Sequence, residues 1–88
     1  MGSVKILCFF GDDGLSKLQN SIIKELQKQY KNVDFSIVNA TNDGELLSKY
    51  FVKELPSVII EEDEAVKARF SGLTQQIFLE RALKQLIK

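Results

Sequence analysis

Chemistry has few footholds in this chain. The 88 residues include one cysteine, Cys8, and no histidine. A single cysteine excludes an intrachain disulfide. Together, the lone cysteine and the absence of histidine remove the zinc sites built on Cys and His, Ser–His and Cys–His nucleophile pairs, and dithiol redox chemistry. Cys8 itself lies inside the apolar run Val4-Lys5-Ile6-Leu7-Cys8-Phe9-Phe10. There it reads as a small buried hydrophobe with an unreactive thiol. Ser16 follows the turn residues Gly11-Asp12-Asp13-Gly14, where a serine serves as a helix cap or a neutral surface residue. The acidic run Glu61–Glu64 can bind a cation or a basic partner; the plainer reading is a solvated turn whose charges discourage edge pairing. No metal site and no cofactor is expected.

Bulk properties narrow the field further. Twelve basic side chains balance twelve acidic ones, so no overall field draws in nucleic acid or anionic lipid. Hydrophobic residues make up 44% and charged residues 27%, as in an ordinary globular chain. No stretch approaches the roughly 18 apolar residues of a membrane span, and the start carries no signal-peptide pattern. The expectation is one soluble, cytoplasmic domain over residues 1–88.

The elements that would hold these residues are legible from periodicity. Val4–Phe10 is a strand buried on both faces. Gly11–Gly14 turns the chain, with Asp13 or Asp12 as the cap of a helix about four turns long. Its inner positions are expected to be Leu15, Leu18, Ile22, Ile23, Leu26 and Tyr30, with Lys17, Gln19, Lys24, Gln27, Lys28 and Lys31 on the wet side. After the stop at Asn32, Val33–Asn39 alternates as a half-buried strand. A strand, a helix and a strand in this span predict a right-handed βαβ unit with parallel strands.

Thr41-Asn42-Asp43 supplies capping residues for a short helix with Leu46, Leu47, Tyr50 and Phe51 inward. The only proline, Pro56, then opens a β-branched strand, Ser57 to about Glu61. Leu55 before it is pushed toward extended geometry. Glu62-Asp63-Glu64 forms a hairpin tip, and Val66, Ala68 and Phe70 alternate with Lys67 and Arg69 in a fourth strand. Ser71-Gly72-Leu73-Thr74 breaks the chain. Thr74 is expected to cap a last helix with Ile77, Phe78, Ala82, Leu83, Leu86 and Ile87 inward and Lys84 and Lys88 complementing its dipole.

In this order of elements the chain resembles the thioredoxin-like superfamily in its short, glutaredoxin-sized form. Three motifs carry the resemblance: Leu55-Pro56-Ser57 as the cis-proline motif, Phe70-Ser71-Gly72 as the strand end and glycine turn, and Asn39–Leu46 as the strand-to-helix connection. The resemblance implies an α/β three-layer sandwich, βαβ-α-ββα, around a mixed four-stranded sheet in the order 2-1-3-4. It places the first and third helices on one face and the second on the other.

The chain departs from the family at the position that carries its chemistry. Active members open the first helix with C-x-x-C or C-x-x-S, where helix-terminal N–H groups stabilise a thiolate. Here that position holds Gly14-Leu15-Ser16-Lys17. Dithiol exchange cannot proceed without the pair. The resemblance therefore implies a redox-inactive module that binds a protein or an extended peptide by strand addition at Leu55 and Pro56. Gly14, Leu15, Ser16 and Lys17 would flank it on one side, and Ser71, Gly72 and Leu73 on the other. Two alternatives stand beside it. One is a glutathione-binding enzyme of this fold using Ser16. The other is a partner-docking adaptor resembling the KaiB-type clock proteins.

Overall fold

A computed structural model describes residues 3–87. The chain runs β1 (Val4–Phe10), α1 (Gly14–Gln29), β2 (Asp34–Asn39), α2 (Gly44–Lys49), β3 (Ser57–Glu62), β4 (Ala65–Ser71) and α3 (Gln76–Leu86). Its strands form one mixed sheet in the order β2-β1-β3-β4. Parallel pairing joins β1 to β2, and antiparallel pairing joins β1 to β3 and β3 to β4. This is the order and sense that the resemblance implied.

The apolar runs of β1 and β3 decide where the core lies. Alternate residues of a strand point to opposite faces, so a continuous run fills both. Ile6, Cys8, Val58 and Ile60 face α1 and α3 and pack with Ile23, Leu26, Leu79 and Leu83. Leu7, Phe9 and Ile59 face α2 and pack with Val38 and Tyr50. Each such side chain contributes about 1.5–3 kcal/mol on burial. Asp43 caps α2, its carboxylate accepting from the Leu46 N–H at 3.2 Å, as expected of that segment.

Both long helices keep expected inner residues, Ile22, Ile23 and Leu26 in α1 with Tyr30 at its C-cap, and Ala82, Leu83 and Leu86 in α3, but differ near their ends. In α1 the buried residues are Ser16, Gln19, Ile23 and Leu26, while Leu15 and Leu18 are exposed. Gln19 can be inside because both ends of its carboxamide are bonded: Nε2 donates to the Thr74 carbonyl at 3.0 Å, and Oε1 accepts from the Thr74 N–H at 2.7 Å. In α3 the buried pair is Leu79 and Leu83; Ile77, Phe78 and Ile87 are exposed. Thr74 does not cap α3. Gln75 holds that place, and Thr74 lies buried with its hydroxyl donating to the Gly72 carbonyl. Lys84 sits in the last turn as expected, and Lys88 lies outside the described residues.

Two further differences arise at the hairpin and at α2. The register slips between Ile60 and Glu61, so that Ile60 faces Ala68 but Glu61 faces Val66. Lys67 is the extra residue of a β-bulge. It turns Val66 off the α1/α3 face, leaving only Ala68 and Phe70 packed there. Glu61 is not part of the solvated turn: it is buried, with Tyr50 Oη donating to its Oε2 at 2.7 Å. Phe51 is not inward either. It stands just past α2 with φ at 55°, and its side chain is exposed.

Candidate functional site

Three loops meet at the end of the sheet where β1 finishes. Gly11 follows β1, Leu55 and Pro56 precede β3, and Gly72 follows β4. Gly11 packs closely on this loop: a Cβ there would lie 3.2 Å from Leu55 Cδ1, so that side chain would have to give by a few tenths of an ångström. Its N–H donates to Ser16 Oγ at 2.9 Å, so the first turn of α1 is tied to the end of β1. The Leu55–Pro56 peptide is cis. Pro56 is fully buried, and its carbonyl accepts from the Gly72 N–H at 2.8 Å. Gly72 has φ at 81°, a left-handed conformation that glycine adopts without penalty. The Ser57 hydroxyl donates to the Glu54 carbonyl and fixes the approach to Pro56 from the other side.

The expected contact residues divide into two groups around this junction. Leu15, Lys17, Ser71 and Leu73 are exposed, and Gly14 has open space where a side chain would be. Leu55 is half-buried. Among the described residues, neither its N–H nor its carbonyl makes a hydrogen bond. Ser16 and Pro56, by contrast, lie below the surface. Ser16 has 0% exposure and its oxygen already accepts from Gly11, so it is withdrawn both from a peptide and from any glutathione thiolate. Its visible work is to hold the β1–α1 turn.

The electrostatics at this end are mild. Asp13 occupies the cap position of α1 without a side-chain capping bond. The Ser16 side chain beside it, with neighbouring backbone N–H groups, lowers its carboxyl below the ordinary value. Cys8 faces the interior on β1, its Sγ 3.5 Å from Asn20 Oδ1. Burial pushes its thiol up to about 12, which keeps it protonated and poorly nucleophilic. Among the described residues no group of cysteine and carboxylate side chains is arranged to hold a metal ion, and no helix is long and apolar enough to cross a membrane.

Solved structures repeat this arrangement over nearly the whole chain. A thioredoxin-2, a component of malaria parasite protein secretion machinery, superposes with a TM-score of 0.90 at 24% identity, covering 96% of this chain and 84% of that one. The fold is thioredoxin-like. A thioredoxin from Trypanosoma brucei brucei gives a TM-score of 0.88 at 23% identity, over 97% of this chain and 75% of that one. A mutant thioredoxin from Halobacterium salinarum gives 0.91 at only 17% identity, over 98% and 76%. No family model matches the sequence, and no curated protein sequence matches it significantly. The chain has one cysteine, so it carries no C-x-x-C pair in this thioredoxin-like frame.

Two buried side-chain contacts near these ends of the sheet have no sequence signature. The Gln19–Thr74 bridge ties α1 to the loop that carries Gly72 and Leu73, and a glutamine in the polar run Gln19-Asn20-Ser21 gives no sign of it. The buried Tyr50–Glu61 pair is hidden in the same way, because Glu61 reads as the first residue of an acidic turn.

Proposed function

We propose that this chain is a redox-inactive thioredoxin-like module, one domain over residues 1–88, that binds a protein or an extended peptide at the three-loop end of its sheet. The observation that carries the reading is the unpaired backbone of Leu55 beside Pro56. A buried or half-buried backbone N–H and carbonyl without partners are an invitation to strand addition, in which main-chain hydrogen bonds give affinity and side pockets give selectivity. Leu15 and Leu73 flank that edge with exposed apolar surface, at 49% and 39%, and Lys17 adds a positive charge. Rigid loops favour this use: Gly11 to Ser16, Pro56 to Gly72 and Gln19 to Thr74 fix the three segments before any ligand arrives.

The same sheet end offers no sulfur for exchange, since Cys8 is buried with a raised pKa. A cytoplasmic setting fits a chain whose one thiol needs no oxidising compartment.

The test is a selection of random hexapeptides on the intact chain, followed by calorimetric titration of the best binder. Leu73→Glu and Leu15→Glu should each weaken it about tenfold, because a carboxylate would replace apolar contact at the rim. Unchanged affinity in both variants would place the binding surface elsewhere. Insulin-disulfide reduction should stay at the uncatalysed rate, and turnover above it would contradict the reading.

A further inference from the structure

A concavity lies at the other end of the sheet, on the face that α2 only partly covers. It is an open cleft of about 930 Å³, a volume within the range of small-molecule sites. Its floor is a single row across the four strands: Asp34 opposite Lys5, Lys5 opposite Glu61, and Glu61 opposite Val66. Val66 belongs to the row only because the Lys67 bulge moves it there. Tyr50 and Phe51 at the end of α2 form the overhang.

We propose that this cleft binds an amphipathic monocation, a primary ammonium on a short alkyl stem, with Glu61 as its counter-ion. Glu61 is only 7% exposed. One of its oxygens, Oε2, accepts from Tyr50, while Oε1 has no hydrogen-bond partner among the described residues and is not sealed from solvent. It therefore opens on the cleft. That oxygen is an acceptor without a protein partner, and an arriving cation would give it a charge-assisted one.

The resident cations do not fill that role. Arg69 donates through Nη1 to the Tyr50 carbonyl, and Lys49 lies 5.4 Å from the centre of the Tyr50 ring. Lys5 is flanked by Asp34 on one side and Glu61 on the other, yet among the described residues neither carboxylate lies within ion-pair distance of it. Asp63 is occupied by the Ser3 N–H at 2.9 Å, and Glu64 is exposed at the turn.

The rim suits an alkyl stem. Phe51, at φ 55°, is held in a conformation that bulky residues rarely adopt, by its own N–H bonding to Ser48 and the Val52 N–H bonding to Leu47. Its ring is left 75% exposed, and Val66 is 43% exposed. Together with the Tyr50 ring they offer apolar and cation–π contact above a negative floor. No three carboxylates converge to hold a metal ion among the described residues, so an organic cation is the better fit.

The experiment is a titration of the intact chain with n-butylammonium chloride, followed by amide NMR shifts. Saturable shifts are expected at Tyr50, Phe51, Glu61 and Val66, and not with n-butanol or with sodium chloride at equal concentration. Glu61→Gln keeps an acceptor for Tyr50 but removes the charge, and should weaken binding about tenfold or more. Lys5→Met removes the positive charge, like the ligand's own, beside Glu61 in the cleft floor and should tighten binding several-fold. That second variant keeps the test decisive if Glu61→Gln fails to fold. A blocked lysine amide run in parallel separates the two sources: tighter binding than butylammonium assigns the site to a partner's lysine side chain, and equal or weaker binding assigns it to a free amine. Shifts shared with sodium chloride, full affinity in Glu61→Gln, or no tightening in Lys5→Met overturns the proposal.

Discussion

Replacing Gln19 tests whether one buried carboxamide holds two of the three loops of the candidate site together. Gln19→Ala removes both bonds to Thr74 and leaves that residue's N–H and carbonyl without partners in a buried setting. Each orphaned backbone group costs about 1–3 kcal/mol, so a loss of about 3 kcal/mol is expected, before any contribution from the missing side-chain volume. Gln19→Glu sharpens the argument, because its effect should depend on pH. Protonated, a glutamic acid can donate to the Thr74 carbonyl and accept from its N–H, as the carboxamide does. Ionised, it can only accept, and its charge is buried at a position with no exposure. Its folded pKa is therefore raised above the unfolded value of about 4.3. The variant should match the parent below that value and lose stability as pH rises toward the folded pKa.

Urea unfolding of parent and variants at pH 3.5 and pH 7 measures this, reading the midpoint shift at constant m. Gln19→Ala should be destabilised alike at both pH values, and Gln19→Glu mainly at pH 7. A Gln19→Ala variant within about 0.5 kcal/mol of the parent, in the range of ordinary surface changes, would refute the role given to this bridge. So would a Gln19→Glu variant equally weakened at both pH values.

Other outcomes follow from the same structure. Gly72→Ala places a Cβ at φ 81° and 2.7 Å from Glu54 Oε2. Glu54 is an exposed, flexible side chain that can move aside, so the cost should be the left-handed backbone alone, about 1–2 kcal/mol. The double variant Glu54→Ala/Gly72→Ala should recover only a few tenths of that by urea unfolding, and full recovery would locate the cost in the clash. Stability should also fall in alkali. Burial raises Cys8 to about 12, and burial followed by the Glu61 and Glu64 carboxylates raises Tyr50 to about 12. Both groups stay protonated in the folded chain above the pH at which the unfolded chain ionises them. Their contribution is complete below the ordinary thiol and phenol values and is lost as pH rises toward 12. Thermal melts between pH 8 and 11 should show this decline, flattened in a Cys8→Ala/Tyr50→Phe double variant; an equally steep decline there would contradict the assignment.

Much of the frame can be read from residue order because burial on two faces and burial on one leave different patterns. The runs Val4–Phe10 and Ser57–Ile60 are continuous because both faces of the central strands are covered, and Pro56 marks where the second of them begins. Asp43 announces α2 by its position before Leu46 and Leu47. The helix faces were harder, because α1 carries two usable stripes. Leu15 and Leu18 form one; Ser16, Gln19, Ile23 and Leu26 form the other. Apolar spacing finds Ile23 and Leu26 but adds Leu15 and Leu18 in the first turns, where Ser16 and Gln19 are buried instead because Gly11 and Thr74 supply hydrogen-bond partners that only the folded chain provides. Ile77 and Phe78 were misplaced for a related reason: α3 starts after Gln75, and its inner line then runs through Leu79 and Leu83.

A bulge has no sequence signature at Lys67, so the turning of Val66 could not be foreseen. Of the candidate site, Leu55, Pro56 and Gly72 were legible through proline and glycine chemistry. The burial of Ser16 was not, since it depends on the turn at Gly11 folding back on α1.

The most direct measurement is the amide resonance of Leu55 in a complex with a selected peptide, together with contacts between that peptide's backbone protons and residues 54–56. Strand addition predicts a downfield Leu55 N–H that becomes protected from exchange, with peptide backbone protons close by. An unshifted, freely exchanging Leu55 amide at saturation would show that the three-loop end is not where this fold meets its partner.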